Sequence, residues 1–255
     1  NILVISALLF STFTAFADCA GSGIYFWPQT PTIKQNSIIV IECYAQSQKI
    51  ISELNSTYPI YLKSGDNKIK LNVSEICVGQ FYLTQAILVP EEKLQAGLDY
   101  ELCIDNLEGK ETFTKWNSTT KKHEAIKWQV EEGTDTEKPT WTKKPDLQKK
   151  TYVPFGCGPA VNVHFNFAVY DESPFLLRAT VTNVETSTKS TYYLNLNKGT
   201  EVLIGHNMCS GAFKFDEGKQ YEISFDIVDY SGNTTAWAYN NILFTAPLLS
   251  DFDGY

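Results

Sequence analysis

Two stretches of the sequence alternate between apolar and polar residues, and this pattern constrains the fold more than any other feature. Every odd position is apolar in residues 161–169, with Asn162, His164 and Asn166 between them, and residues 221–227 repeat the pattern. A period of two belongs to a β-strand that buries one face and exposes the other to water. The sequence therefore predicts antiparallel β-structure whose polar positions, His164 included, face solvent.

Shorter β-rich runs fill most of the remaining sequence, and turn residues separate them. The other predicted strands of the second half are residues 176–184, 191–196, 201–204 and 235–244. The predicted strands of the first half are residues 37–44, 60–62, 68–73, 80–89, 99–104 and 126–130. Short strands with frequent turns are typical of an antiparallel β-sandwich. We expect only one helical turn, near residues 49–54.

A polar segment, residues 131–150, divides the chain into two pieces of comparable length. The segment is rich in charge, contains Pro139 and Pro145 and lacks hydrophobic periodicity, so we expect an exposed linker. Each piece has the length of one sandwich domain. We therefore predict an all-β chain of two tandem sandwich domains, residues 18–135 and 136–247, followed by a tail at residues 248–255.

Short motifs in both pieces resemble bacterial immunoglobulin-like domains of the S-layer type. Residues 89–102 (VPEEKLQAGLDYEL) are similar to the approach to a late strand in such domains, with the pattern L-x-x-G-x-x-Y-x-L. Residues 135–139 (DTEKP) resemble the linker before such a domain, and residues 229–233 (DYSGN) resemble its D-x-x-G-N turn. The resemblance extends to uncharacterised secreted bacterial proteins with two such domains. It implies tandem immunoglobulin-like sandwiches, and it implies no activity.

The first residues have the character of an export signal. Residues 2–16 are apolar or hydroxylic and carry no charge, and Ala15 and Ala17 occupy the −3 and −1 positions of a cleavage site before Asp18. The stretch is shorter than the ~20 apolar residues that a membrane helix needs. We therefore expect residues 1–17 to be part of a signal peptide. The protein is expected to be secreted or displayed at the cell surface, with no membrane span in this chain.

Export makes the cysteines candidates for disulfide bonds. The cysteines are Cys19, Cys43, Cys77, Cys103, Cys157 and Cys209. None forms a C-x-x-C pair or lies beside a histidine at metal-ligand spacing, which argues against zinc. The last two belong to the second piece, so we expect a Cys157–Cys209 bridge. The first four allow three pairings, of which we favour Cys19–Cys43 and Cys77–Cys103.

The sequence carries no recognisable catalytic motif. Its three histidines are His123, His164 and His206, and it contains neither G-x-S-x-G nor H-E-x-x-H. A catalytic histidine needs a nucleophile and an orienting carboxylate close to it in space. We expect all three histidines to be ordinary surface residues, no catalytic residue, and no enzyme activity.

Two carboxylate-rich turns are candidates for calcium binding. Asp226 and Asp229 flank one turn, and Asp171 and Glu172 begin another. A loop-built calcium site gathers several oxygens, yet the sequence has no D-x-D-x-D-G run. Aspartate also stabilises turns by accepting backbone N–H groups two residues further on. We favour that structural role, and we expect neither a metal nor a cofactor.

Charge and aromatic residues bear on the partners of the protein. The formal net charge of −8 argues against nucleic acid. Trp116 and Trp141 lie in polar surroundings and are candidates for stacking on sugar rings. We expect a non-catalytic structural or interaction protein of the adhesion type, whose unknown partner would be a surface protein or a glycan. The alternative is a carbohydrate-binding module or the accessory region of a secreted hydrolase.

Overall fold

The protein is built mostly from β-strands. The computed structural model describes Cys19 and residues 21–108, 113–196 and 200–252. Strands account for 54% and helix for 5% of the residues, which confirms the predicted β class. Within these ranges, no helix combines the length and the apolar character needed to cross a bilayer. The predicted signal peptide, residues 1–17, lies outside the described residues.

The N-terminal half, residues 21–130, contains one long path of paired strands and a separate hairpin. Its strands are β1 (Gly23–Trp27), β2 (Thr32–Ile33), β3 (Ile39–Tyr44), β4 (Ile60–Ser64), β5 (Asn67–Val78), β6 (Leu83–Pro90), β7 (Asp99–Ile104), β8 (Lys115–Asn117), β9 (Lys122–Glu124) and β10 (Lys127–Val130). The strands pair in the order β1-β3-β6-β5-β4-β7-β10-β2, and β8 pairs with β9. The helix α1 (Gln48–Ser52) is the predicted helical turn.

Strand β5 belongs to two layers of this half. Its first part, up to Lys70, pairs with β4, whereas the part from Leu71 onwards pairs with β6, with a register shift between Val73 and Glu75. One layer is therefore β1-β3-β6-β5, and the other is β5-β4-β7-β10-β2. Side chains from both layers form one hydrophobic core, as in a β-sandwich.

The C-terminal half, residues 140–252, is formed by two further antiparallel sheets. Its strands are β11 (Thr140–Val153), β12 (Ala160–Tyr170), β13 (Phe175–Asn183), β14 (Lys189–Asn195), β15 (Glu201–His206), β16 (Gln220–Asp229), β17 (Thr234–Thr235) and β18 (Ile242–Thr245). One sheet has the order β11-β12-β15, and the other has the order β14-β13-β16 with β17 and β18 on β16. Phe165, Leu177 and Phe225 are fully buried in the core that both sheets share.

Two predictions about strand boundaries are wrong. The predicted linker, residues 131–150, is irregular only as far as Pro139, because Thr140 begins the 14-residue strand β11. Strand β11 lies at a sheet edge, and its pairing shifts register between Lys143 and Asp146, on either side of Pro145. Proline is tolerated at such irregular edge positions. The predicted strand at residues 235–244 is instead divided between β17 and β18.

The two halves are in close contact. Strand β3 buries both of its faces, because Ile39 and Ile41 enter the N-terminal core while Val40 enters the core of the C-terminal half. Strand β6 does the same, with Leu88 in one core and Ile87 in the other. The contact region between β3, β5 and β6 on one side and β13 and β14 on the other is the junction of the two halves.

Candidate functional site at the junction of the two halves

Gln85 on β6 caps the open edge of β14. Its side chain is fully buried, its Oε1 accepts the backbone N–H of Tyr193 at 2.7 Å, and its Nε2 donates to the carbonyl of Tyr193 at 3.1 Å. Unpaired backbone groups at a sheet edge invite pairing with other chains. Gln85 makes the two hydrogen bonds that a neighbouring strand would make, so the edge is satisfied by the other half of the molecule.

Glu42 on β3 is a largely buried carboxylate beside Gln85. Its Oε2 accepts a hydrogen bond from the Tyr192 hydroxyl at 2.9 Å and lies 3.5 Å from Nε2 of Gln85. Within the described ranges, no Lys, Arg or His side chain makes an ion pair with it. Burial therefore raises the pKa of Glu42 to about 7, although both hydrogen bonds oppose the shift.

Arg178 on β13 connects carboxylates of both halves. Its Nη2 lies 3.0 Å from Glu75 of β5, and its Nη1 lies 3.3 Å from Asp226 of β16. The Tyr193 hydroxyl donates to the other oxygen of Glu75 at 2.8 Å. Burial alone would raise the pKa of Glu75, but the bonds from Tyr193 and Arg178 outweigh it and the pKa is lowered. Glu75 is thus held as a charged acceptor across the junction.

Three aspartates converge where the connecting segment passes between the halves. Asp135 belongs to that segment, Asp171 follows β12, and Asp229 ends β16, and their carboxylate oxygens lie within 4.8 Å of one another. Asn36 of the N-terminal half donates to the backbone carbonyl of Asp135 at 2.7 Å, and Asn233 donates to the same carbonyl at 3.1 Å. This acidic triad (Asp135, Asp171 and Asp229) is therefore attached to both halves.

Two members of the acidic triad also stabilise turns, as predicted from the sequence. Oδ1 of Asp229 accepts the backbone N–H groups of Ser231 at 2.7 Å and Asn233 at 2.8 Å. Oδ1 of Asp171 accepts the backbone N–H of Ser173 at 2.8 Å. Burial raises the pKa of both carboxyl groups. Asp135 lines a cleft of about 510 Å³ whose lining residues come from both halves.

The prediction that all histidines are surface residues is wrong for two of them. His123 is exposed, but His164 and His206 are each only 8% exposed. Strand β12 lies between β11 and β15, and the ring of His164 contacts Glu201 at 2.8 Å and Thr151 at 3.1 Å. Neighbouring side chains thus cover the face that the alternation predicted to be wet. Burial lowers the pKa of His206.

The two tryptophans proposed as sugar-stacking residues have different surroundings. Trp116 on β8 is 52% exposed, with its ring edge-on to His123 at 5.2 Å. Trp141 instead packs edge-on against Phe167 and Trp237, at 6.1 Å in both cases, so it belongs to the margin of the C-terminal core. Only Trp116, of these two, offers an open aromatic surface.

The disulfide pairings predicted from the sequence are wrong. The structure joins Cys19 to Cys209, with an S–S distance of 2.01 Å. This bridge replaces both the predicted Cys157–Cys209 and the predicted Cys19–Cys43 pairs. Cys77 and Cys103 are thiols rather than a bonded pair, on β5 and β7 respectively. The prediction assumed that each half pairs its own cysteines, whereas contact between the halves brings residue 19 to the loop after β15.

The polar residues that join the halves were not predicted from the sequence. Neither Gln85 nor Glu42 was a candidate, although each is a polar residue within a mostly apolar strand. Asp171 and Asp229 were candidate calcium ligands, but Asp135 was not. The available signal was the joint occurrence of Asp135 and Asp229 in the two motifs that resemble immunoglobulin-like domains.

Comparisons with known proteins give only distant likenesses. No family model matches the sequence, and no curated protein is similar to it. Similar solved structures include pullulanase type I from Bacillus subtilis complexed with maltose (12% identity, 83% of this chain and 23% of that one, TM-score 0.25). They also include the FN1–FN3 domains of chicken CNTN1 (9% identity, 88% of this chain and 64% of that one, TM-score 0.27). A third is the adhesin InvE of Yersinia pseudotuberculosis (12% identity, 88% of this chain and 58% of that one, TM-score 0.22).

These likenesses are too weak to carry an argument about fold or function. All three TM-scores lie far below 0.5, and all three identities lie below 25%. The chain also spans less than two thirds of the length of each structure. The architecture is instead defined by the strand pairing and the two hydrophobic cores.

Proposed function

We propose that this protein is a secreted or cell-surface, non-catalytic structural or interaction module of the adhesion type, with two immunoglobulin-like sandwich domains. The proposal rests on the side-chain contacts at the junction of the two halves. The buried hydrogen bonds between Gln85 and Tyr193 and the partly exposed ion pair between Arg178 and Glu75 hold the halves in one arrangement. A binding surface presented by a rigid scaffold loses little conformational freedom when a partner docks.

The surroundings of potentially catalytic groups support a non-catalytic role. His164 is held by Glu201 and Thr151, and Arg178 is occupied by two carboxylates. Cys77 is buried, and burial raises the pKa of its thiol to about 12, so it is a poor nucleophile. Each of these groups has a structural partner, whereas a catalytic site needs a nucleophile and base that are accessible to substrate.

An adhesion assay on cells of the source organism tests this proposal. Beads coated with the folded protein are expected to bind these cells several-fold more than beads coated with reduced and alkylated protein. Treating the cells with protease or periodate before the assay distinguishes a protein partner from a glycan. Binding equal to that of the unfolded coating would contradict the proposal, as would hydrolysis of polysaccharide or peptide substrates by the purified protein.

A carbohydrate-binding module is the second candidate, and the exposed ring of Trp116 favours it. The hairpin β8–β9 presents this ring beside a groove of about 660 Å³ that Asn117, Glu124 and Lys127 also line. Aromatic rings and hydrogen-bonding groups together are suited to sugar faces. If this candidate is right, Trp116→Ala abolishes signals on a glycan array while Tyr170→Ala, at another exposed aromatic, preserves them. Adhesion unchanged by Trp116→Ala would exclude the hairpin as the binding surface.

A further inference from the structure

A small cavity lies beside the end of β15, where a loop of the N-terminal half meets the C-terminal half. Its volume is about 250 Å³, and most of the residues that line it are apolar. Three aromatic rings contribute to its walls: Phe81 from the loop between β5 and β6, and Tyr152 and Phe215 from the C-terminal half. A concave, mainly apolar site with a few polar groups is the usual setting for a small ligand.

Backbone hydrogen bonds hold the wall formed by Phe81 in place. The N–H of Phe81 donates to the carbonyl of Gly211 at 3.1 Å, and the N–H of Gly211 donates to the carbonyl of Phe81 at 2.8 Å. Gly211 also forms an antiparallel bridge with His206. A Cβ at position 211 would lie 2.2 Å from the Cβ of His206, so glycine is required there. The cavity is therefore formed before any ligand enters, which lowers the entropic cost of binding.

His206 provides a hydrogen-bond acceptor at this cavity. The residue is only 8% exposed, and its ring centroid lies 5.1 Å from that of Phe81. Its Nδ1 lies 2.9 Å from the backbone carbonyl of Asn207, and a carbonyl only accepts, so Nδ1 carries the proton. Burial lowers the pKa of His206, which favours the neutral ring. Its Nε2 makes no hydrogen bond with the residues that the structure describes, and it can accept an O–H or N–H group of a ligand.

Lys214 provides a positive charge at the rim of the cavity. Its side chain is exposed, and its Nζ lies 5.9 Å from the centroid of the Phe81 ring. Within the described ranges it makes no ion pair. Glu217 also lines the cavity, but its Oε1 already accepts the backbone N–H of Leu249 at 3.1 Å. Lys214 is thus the charged group that is available to pair with an anionic ligand.

We propose that this cavity binds a small aromatic acid that carries a phenolic hydroxyl group. The ring of the ligand packs between Phe81 and Phe215, its hydroxyl donates to Nε2 of His206, and its carboxylate pairs with Lys214. Since Phe81 belongs to one half and the other three residues to the second half, the bound ligand also stabilises the junction. This inference does not depend on the proposed function in adhesion.

Titration of the whole protein with 4-hydroxyphenylacetate tests the site. Isothermal titration calorimetry is expected to give one bound molecule with a Kd of about 1 mM or lower. Thermal unfolding should show a rise in Tm of about 2–4 °C at about 5 mM ligand. No heat of binding together with no shift in Tm would overturn the proposal.

Two related ligands separate the two polar contacts. Phenylacetate lacks the hydroxyl and should bind at least about tenfold more weakly, because Nε2 of His206 is then left without a partner in a buried position. The neutral 4-methylphenol lacks the carboxylate, so its affinity should be the same for the wild type and for Lys214→Gln. The same variant should bind 4-hydroxyphenylacetate about fivefold more weakly, whereas Lys149→Gln, at an exposed lysine of β11, should not. Equal affinity for phenylacetate and 4-hydroxyphenylacetate would refute the assigned role of His206.

Variants of the cavity wall show whether the ligand binds at this position. Phe81→Ala removes a ring but keeps both backbone hydrogen bonds to Gly211, so it should fold and lose binding of all three compounds. Tyr170→Ala removes an exposed ring of β12 and should bind them as the wild type does. His206→Phe should bind phenylacetate and 4-hydroxyphenylacetate equally. Should His206→Phe fail to fold, Phe81→Ala and the ligand pair still decide, and unchanged binding by Phe81→Ala would overturn the proposal.

Discussion

The side chain of Glu42 makes the stability of the protein depend on pH. Its pKa in the folded protein is about 7, above the ordinary value of 4.5, so folding favours the protonated form. The stabilisation from this preference is fully present below about pH 4.5, declines as the pH rises and is lost above about pH 7. A shift of this size corresponds to roughly 3 kcal/mol.

Glu42→Gln is therefore expected to stabilise the protein at pH 8. Glutamine has the same shape, can still accept the Tyr192 hydroxyl and carries no charge to bury. The free energy of unfolding should increase by up to about 3 kcal/mol at pH 8 and change little at pH 4. Urea denaturation from pH 4 to 8.5 measures this, with the exposed Glu92→Gln as the control. A variant less stable than wild type at pH 8 would contradict the assigned environment.

Individual core residues follow from sequence pattern more reliably than individual polar residues. The alternation correctly placed Phe165 and Phe225 in the interior, because a strand shows one face to the core by its own geometry. The same alternation misplaced His164, which is covered by side chains of two other strands. The alternation within one strand shows which of its faces is apolar. Whether the polar face is exposed or covered depends on side chains of neighbouring strands, and the sequence of the strand itself does not show this.

The composition of strands β3 and β6 reflects their packing on both faces at the junction. Residues 38–41 are four consecutive apolar residues, and residues 86–89 form a second such run. A strand that packs on both faces needs apolar residues at every position, whereas a half-exposed strand alternates. The irregular pattern of the first half was therefore a usable signal for a second packing surface. Strand β11 gave no such signal, because a charged edge strand with a proline resembles a loop.

Removal of the Gln85 side chain is expected to destabilise the junction strongly. Gln85→Ala leaves the backbone N–H and carbonyl of Tyr193 buried without their partners. Each unsatisfied group costs about 1–3 kcal/mol, so we expect a loss of about 2–4 kcal/mol in the free energy of unfolding. Urea denaturation measures the loss, and Gln148→Ala on the exposed edge β11 should cost under about 0.5 kcal/mol.

The same substitution should also uncover the edge of β14. An edge strand without a cap can pair with another copy of the chain. Light scattering of Gln85→Ala at rising protein concentration is therefore expected to show association that the wild type and Gln148→Ala lack. Equal stability of all three proteins would mean that the two hydrogen bonds of Gln85 contribute nothing.

The Cys19–Cys209 bridge closes a loop that includes most of the molecule. The two cysteines are 190 residues apart, and the chain-entropy model assigns such a crosslink about 5 kcal/mol. Cys19→Ser with Cys209→Ser should therefore lower the free energy of unfolding by several kcal/mol. Cys103→Ser, which removes a thiol outside the bridge, should have a much smaller effect.

Peptide mapping without reduction checks the pairing directly. We expect one crosslinked fragment that contains Cys19 and Cys209 and disappears when the sample is reduced. A fragment that joins Cys157 to Cys209 would show instead that the C-terminal half pairs its own cysteines.

At the level of the whole molecule, the sequence predicted the parts but not their assembly. Composition and periodicity were sufficient for a β-structure with two cores, because each core is made mainly of strands close in sequence. The acidic triad brings Asp135 together with Asp229, which lies 94 positions away, and no local pattern encodes that distance. The same reason explains the wrong disulfide pairs.

Strand β5 makes the N-terminal half resistant to opening one layer at a time. Its first residues are bonded into one sheet and its last residues into the other, so neither sheet can separate while the strand stays intact. Glu75, near the end of the same strand, is also bound to Arg178 of the C-terminal half. A fluctuation that frees the β4–β5 turn is thus restrained by contacts at the opposite end of the strand. Amide protons of both layers are expected to exchange with solvent in a single concerted event.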